Sequence, residues 1–155
     1  MNRGQAPIAA LHAPVQLAKT LATIDQISGG RMIAGMSTGW STDELQATGA
    51  TRAVRGRFLD ETLDVFEAVW GPDPVIFRSP RVVVDNASIL PKPDSKLPVM
   101  LGCGGSNLGR GTSSKAVQRI ARRADGWLPV FTTPGPGRWS RRTARKLGPH
   151  SGNCC

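Results

Sequence analysis

Two short runs of small residues carry most of the chemistry that the sequence offers: Ser37-Thr38-Gly39-Trp40 and Gly102-Cys103-Gly104-Gly105-Ser106-Asn107. Each follows an apolar run and precedes helix-forming text. Small side chains let a ligand approach the backbone, and a helix start offers free N–H groups with partial positive charge, which suits a phosphate. The same composition also serves plain turns, where Gly, Ser and Thr are used for backbone reasons alone. Two sharper fingerprints are incomplete. Gly102-x-Gly104-x-x-Asn107 lacks the third glycine of the dinucleotide motif. Gly104-x-x-x-x-Gly109-Arg110-Gly111 has Arg where a P-loop needs Lys, and Gly where it needs Ser or Thr.

The remaining candidates divide between function and structure. Cys103 stands inside the second run and is a conceivable nucleophile, but no histidine is close in sequence, and a small buried thiol is the simpler reading. Trp40 and Trp127 each follow a glycine at a strand boundary; either can line the pocket of a flat cofactor or pack in the core. Asp43 and Glu44 stand where a helix begins, and acids there stabilise the helix dipole whatever the function. His12 and His150 lie near the start and in the tail, which makes a His-based metal site improbable, and no residue identifies itself as a catalytic acid or base.

Composition narrows the classes. A chain of 155 residues suffices for one domain with a real core, and 39% hydrophobic with 20% charged residues is ordinary for a globular protein. No apolar run is long enough to suggest a membrane span, and the opening MNRGQAPIAALHAP does not read as a signal peptide. The net charge of +9 is unevenly spread: residues 134–155 hold five basic residues and no acidic one, leaving 15 basic against 11 acidic elsewhere. That tail reads as a disordered, solvated end rather than a nucleic-acid site. Cys103, Cys154 and Cys155 form neither a zinc spacing nor a disulfide framework, so a reducing cytoplasm is expected.

These candidates need elements to hold them. Ile8 to Leu11 reads as the end of a strand, and Pro14 suits the first turn of a helix whose face is Leu17, Leu21 and Ile24. Ser28-Gly29-Gly30 stops it. Met32 to Met36 is apolar on both faces, as in a strand of a parallel sheet. Ser41 and Glu44 fit a capping box. A helix over Arg55 to Trp70 buries Leu59, Leu63, Phe66 and Trp70, with Asp60, Glu61, Asp64 and Glu67 toward water. Val75–Phe77 and Arg81–Val84 read as a hairpin excursion. Leu97–Leu101 is a strand, Ser113–Ala124 a helix and Trp127–Phe131 a strand. This alternation predicts an α/β fold with parallel strands and crossover helices.

Several stretches together resemble the luciferase-like monooxygenase family with its deazaflavin-dependent oxidoreductases: LAKTLATIDQISGGRMIAGMSTGW, RGRFLDETLDVFEAVW, LPKP and AVQRIARRADGWLP, in that order, with a hairpin before LPVMLGCGG. The resemblance covers about Ala10 to Thr133. It implies a partial (β/α)8 TIM barrel, with strands resembling the third to the sixth plus the hairpin, as a domain over 1–133 followed by the basic tail 134–155. It also implies FMN or coenzyme F-420 as cofactor and redox chemistry on a small organic substrate. By position, Gly39 and Trp40 match the family's loop after the fourth strand, and Cys103, Gly104 and Gly105 the loop after the fifth, both near the cofactor. A homodimer is expected if the barrel is complete.

The departures set a second expectation. The family's first two strands and most of the third have no match, His12-Ala13-Pro14 departs from the usual His-Pro, Ser106–Ser113 is longer than usual, and the tail reads as out-of-frame or truncated. A fragment inactive alone, or a non-catalytic paralogue or module needing a partner chain, is the alternative. The charge reading is tested by a band-shift with duplex DNA. No complex is expected at physiological salt; a salt-sensitive complex lost on deleting residues 134–155 would assign phosphate binding to the tail.

Overall fold

The computed structural model describes residues 6–104 and 114–130. In chain order they form a 3-10 turn (Ala9–Leu11), α1 (Pro14–Ser28), β1 (Ala34–Met36), α2 (Thr42–Ala47), α3 (Arg55–Val69), β2 (Val75–Arg78), β3 (Val83–Ala87), β4 (Val99–Gly104), α4 (Ser114–Arg123) and β5 (Gly126–Val130). By contacts the chain divides into two units. One contains Pro7–Ala34 and Thr38–Leu97, and the other contains Gly35–Ser37 with the described residues from Pro98 onward.

The first unit is built on α1 and α3. Pro14 occupies the first turn of α1, where its missing N–H is no loss. The buried face is Leu17, Ala18, Leu21, Ala22 and Asp25, so Ile24, expected inside, is instead 42% exposed. The alanines explain the rotation, because their small side chains let α1 lie close against α3. From α3, Leu59, Thr62, Leu63, Phe66 and Val69 are buried at helical spacing. The hidden Thr62 hydroxyl donates to the Phe58 carbonyl at 2.7 Å. Trp70 stacks on Phe66 with ring centroids 4.5 Å apart, and its indole N–H donates to the Ala18 carbonyl of α1 at 3.1 Å.

Gly29 ends α1 in the left-handed conformation, φ +66°. Its N–H donates to the Gln26 carbonyl at 3.0 Å and that of Gly30 to Asp25 at 2.9 Å, the paired bonds of a Schellman turn. The buried Asp25 side chain then accepts the Met32 N–H at 3.2 Å through Oδ1. The strand that follows is shorter than the apolar run suggested, since Ile33 is exposed and regular pairing begins at Ala34. Of Ile8 to Leu11, read as a strand end, Ile8 alone is paired, in a single β-bridge, and the rest is not strand. Leu11 N–H reaches the Ile8 carbonyl at 2.9 Å, an i to i+3 bond that winds Ala9–Leu11 into a 3-10 turn.

The hairpin excursion is present: β2 and β3 pair antiparallel, Phe77 opposite Val84 and Arg78 opposite Val83. Glu61 holds its turn. The carboxylate accepts the Ser79 hydroxyl at 2.5 Å and the Arg81 N–H at 3.1 Å, and pairs with the Arg81 guanidinium at 3.2 Å. Arg81 also lies over the Phe58 ring, 3.7 Å from its centroid. So Glu61, expected in water, is engaged, while Asp64 and Glu67 are exposed. At the other end, Lys92 of the LPKP stretch donates to the Val69 carbonyl at 2.8 Å, placing a cation at the C-terminus of α3. The Lys92 carbonyl accepts Gln26 Nε2 of α1 at 3.1 Å.

In the second unit the sheet order is β1-β4-β5, with β4 and β5 parallel from Met100 opposite Gly126 to Gly104 opposite Val130. Asp125 starts this pair: its N–H donates to the Val99 carbonyl at 2.7 Å, and its Oδ2 accepts the Val99 N–H at 3.0 Å. A Cβ on Gly126 would stand 2.5 Å from Met100 Sδ. The two bonds between Asp125 and Val99 therefore set the register of β4 and β5, while Met100 lies over Gly126. α4 packs on β4 with Ile120 buried. Phe131 and the tail 134–155 lie outside the described residues.

Asp73 gives the first unit an acid limit. Hydrogen bonds from Lys92 and then Ser88 hold its carboxyl below the usual aspartate range; Lys92 Nζ is 2.7 Å from Oδ1, and Ser88 Oγ donates to Oδ2 at 2.6 Å. A carboxyl with a depressed folded pKa contributes stability at higher pH and loses it as pH falls through the folded value. Unfolding followed by circular dichroism against pH is expected to show stability falling below about pH 4, with a shallower acid limb in Asp73→Asn.

Candidate functional site

The loop after β1 belongs, from Thr38 on, to the first unit. It ends where Ser41 caps α2, its hydroxyl accepting the Glu44 N–H at 3.4 Å, with Asp43 and Glu44 in the first helical turn. Between these points Gly39 has φ +76°, a conformation for which glycine is the natural choice. It is also crowded, since a Cβ built on it would lie 2.7 Å from Ile8 Cγ2. Ile8 itself is backed by a small core of Ala10, Leu45 and Ala50, with Phe58 beside it.

The Gly39 carbonyl accepts a hydrogen bond from Arg55 Nη1, which reaches back from the first turn of α3. Burial, and secondarily the neighbouring Arg52 charge, lower the Arg55 pKa from the usual arginine value; an arginine still carries its charge at neutral pH. Trp40, next in the chain, is 75% exposed. Core packing therefore does not account for Trp40, and a large aromatic surface is displayed beside a glycine whose geometry is fixed from two directions.

The second run of small residues is placed differently from expectation. Gly102, Cys103 and Gly104 are not loop but the last residues of β4, paired with Leu128, Pro129 and Val130. Ladder bonding is a backbone property, and β5 carries it on through residues with little or no side chain. Gly105, Ser106 and Asn107 lie outside the described residues. Cys103 is half-buried, and its carbonyl accepts the Trp127 indole N–H at 2.7 Å. Trp127 thus shapes the carboxyl end of β4.

The sequence candidates fall into two groups: Gly39 and Trp40 in the first unit, Cys103 and Gly104 with Trp127 in the second. Sequence reasoning missed Ile8 and Arg55. Arg55 opens the RGRFLDE stretch, but no spacing rule sends a helix-start arginine to a carbonyl sixteen residues earlier.

The elements define an α/β chain with a three-stranded sheet among the described residues, and comparison with known proteins makes the class specific. The profile of the luciferase-like monooxygenase family matches residues 5–153, and the chain belongs to that family. It is 36% identical over 124 residues to an uncharacterised protein of Mycobacterium tuberculosis, covering 79% of this chain and 40% of that one. It is 32% identical over 117 residues to an FMNH2-dependent dimethylsulfone monooxygenase of Pseudomonas fluorescens, covering 74% and 30%. The chain thus spans well under half the length of these relatives.

Among solved structures, an F-420-dependent secondary alcohol dehydrogenase in complex with an F-420–acetone adduct matches with TM-score 0.69 and 23% identity, over 97% of this chain and 44% of that one. The FMN complex of the oxygenating component of 3,6-diketocamphane monooxygenase from Pseudomonas putida matches with TM-score 0.63 and 16% identity, over 81% and 37%. At these identities the likeness is one of fold, an α/β arrangement resembling luciferase-like TIM barrels. Among the described residues no helix is long and apolar enough to cross a membrane.

The crowding at Gly39 has a measurable consequence. Gly39→Ala is expected to lower stability by about 2 kcal/mol or more, combining left-handed strain with overpacking against Ile8. In a double-mutant cycle by urea unfolding, Ile8→Ala should relieve the overpacking part and leave the strain. Purely additive effects would show that the two residues do not meet.

Proposed function

We propose that this chain supplies cofactor-binding strands and loops of a flavin- or deazaflavin-dependent oxidoreductase, acting on a small organic substrate. In this reading β1, β4 and β5 correspond to the fourth, fifth and sixth strands of a (β/α)8 barrel, and Ile8, just ahead of the 3-10 turn, to the end of the third. The residues proposed to contact the cofactor are Gly39 and Trp40 and, separately, Cys103, Gly104 and Gly105. The domain runs over 1–133, and it works in a reducing compartment as a homodimer where the barrel is complete.

The observation that carries the reading is the Gly39–Trp40 loop. A glycine with no room for a Cβ and an aromatic ring displayed at 75% exposure are what a flat cofactor requires of a wall it lies against. The end of β4 is compatible too: Gly102 and Gly104 add no side chains, so a ligand can come close to the backbone there. FMN and coenzyme F-420 both combine a flat ring system with a phosphate-bearing tail, and both occur among the proteins that this chain resembles. When bound, either supplies the two-electron redox chemistry. The chain's share is to hold the ring, to orient it, and to keep a side open to substrate.

One observation favours a second reading. The sheet has three strands among the described residues, and the chain spans 40% of the mycobacterial relative. A (β/α)8 barrel closes with eight strands, and in this second reading a partner chain supplies strands while this one acts as a module. Size-exclusion chromatography with light scattering is expected to show a defined oligomer in that case, and aggregate would count against it.

Cofactor binding is tested by titrating the full chain with FMN and with coenzyme F-420. Fluorescence of one of them is expected to quench or shift on saturable binding. No change with either, in a chain shown by circular dichroism to be folded, would end the cofactor reading.

A further inference from the structure

We propose that Arg55 is a positioning residue: by holding the Gly39 carbonyl it sets the plane of the Gly39–Trp40 peptide, and so presents the Trp40 N–H as a donor to an acceptor oxygen of the cofactor. The proposal rests on the cofactor reading of Gly39 and Trp40 given above.

The argument begins with the peptide itself. A trans peptide is planar, and its C=O and N–H point in opposite directions. A guanidinium fixed on the Gly39 carbonyl therefore also fixes the direction of the next N–H, that of Trp40. Among the described residues this N–H enters no hydrogen bond, so the peptide is tied on its acceptor side and open on its donor side. Glycine needs such a tie more than any other residue, because without a Cβ its neighbouring peptide planes rotate at little cost. Ile8 closes one side of Gly39, at 2.7 Å from where a Cβ would be. Arg55 closes the other.

Arg55 is well suited to the task. It sits in the first turn of a fifteen-residue helix, its own N–H donating to the Thr51 carbonyl at 3.1 Å. Its head is half-buried, with part of its hydration given up, and a charge-assisted hydrogen bond strengthens in such surroundings. A lysine could supply the charge, but only as a compact ammonium on a flexible stem, without the planar fork. Arg52, one turn earlier in the chain, is exposed and adds like charge without a recorded contact to the loop. It therefore separates a general effect of positive charge from the specific hydrogen bond.

The test uses the full chain as wild type, Arg55→Gln, Arg55→Lys and Arg52→Gln. Two quantities are read: the 15N relaxation order parameters of the Gly39 and Trp40 amides, and affinity for FMN and for coenzyme F-420 by fluorescence titration. In Arg55→Gln, these order parameters are expected to fall from the rigid range, about 0.85, toward about 0.6, and affinity to fall about tenfold, roughly the worth of one hydrogen bond to a charged group. Arg55→Lys should fall between, with an unchanged unfolding midpoint, and Arg52→Gln should match wild type in the order parameters. Unchanged order parameters in Arg55→Gln overturn the proposal, as does an Arg52→Gln variant that weakens binding equally. Unchanged affinity despite lower order parameters also overturns it, reducing Arg55 to a structural role. Should Arg55→Gln fail to fold, Arg55→Lys against Arg52→Gln decides by the same readouts. A wild-type chain that binds neither cofactor overturns the proposed function and the aimed N–H together. Lower order parameters in Arg55→Gln would then still mark Arg55 as the lock of the loop.

Discussion

The chain has five residues, Gly29 to Ile33, in which to leave α1 and enter β1, and Asp25 governs that passage. Its carbonyl takes the Gly30 N–H and its side chain takes the Met32 N–H, so one residue holds both sides of the turn. Ser28 adds to it, its hydroxyl donating to the Asp25 carbonyl at 2.9 Å and accepting the Arg31 N–H at 3.2 Å. The arrangement has a cost: Asp25 is 2% exposed, and its second oxygen, Oδ2, has no hydrogen-bond partner among the described residues. A buried unsatisfied group costs about 1–3 kcal/mol.

Around that passage the first unit is fastened at both ends of α3. Glu61, Arg81 and Phe58 hold the hairpin turn against its N-terminal half, while Lys92 closes its C-terminus and, through its carbonyl, takes a bond from α1. The stretches that identify the family, SGGR, RGRFLDE, LPKP and DGW, thus have physical roles in this fold. They are a helix stop, a brace for the loop and hairpin, a cap on α3, and the register pin of β4 and β5.

Much of this was legible in the sequence. Helix spacing and terminal Gly and Pro residues located α1 and α3, alternation located the parallel strands, and Ser41 marked the start of α2. The errors share one cause, which is that local pattern does not know its neighbours. Ile24 reads as a core residue until the alanines of α1 turn the helix toward α3. Glu61 reads as a solvated acid until the hairpin brings Ser79 and Arg81 to it. Gly102 to Gly104 reads as a loop until β5 pairs with it. The site was legible in part for the same reason. Gly39 and Trp40 stand out by type, whereas Ile8 and Arg55 act on them from distant positions that no periodicity links.

The central proposal is that the Gly39–Trp40 loop and the end of β4 each meet a flavin or deazaflavin cofactor. Its most direct test is a two-dimensional 1H–15N NMR spectrum of the full chain recorded with and without FMN or coenzyme F-420. The account predicts that shifts concentrate at the amides of residues 38–41 and 101–104 and at the Trp40 and Trp127 indole N–H signals. Shifts confined to residues 134–155, or spread over α1 and α3 while these positions stay unchanged, would contradict it.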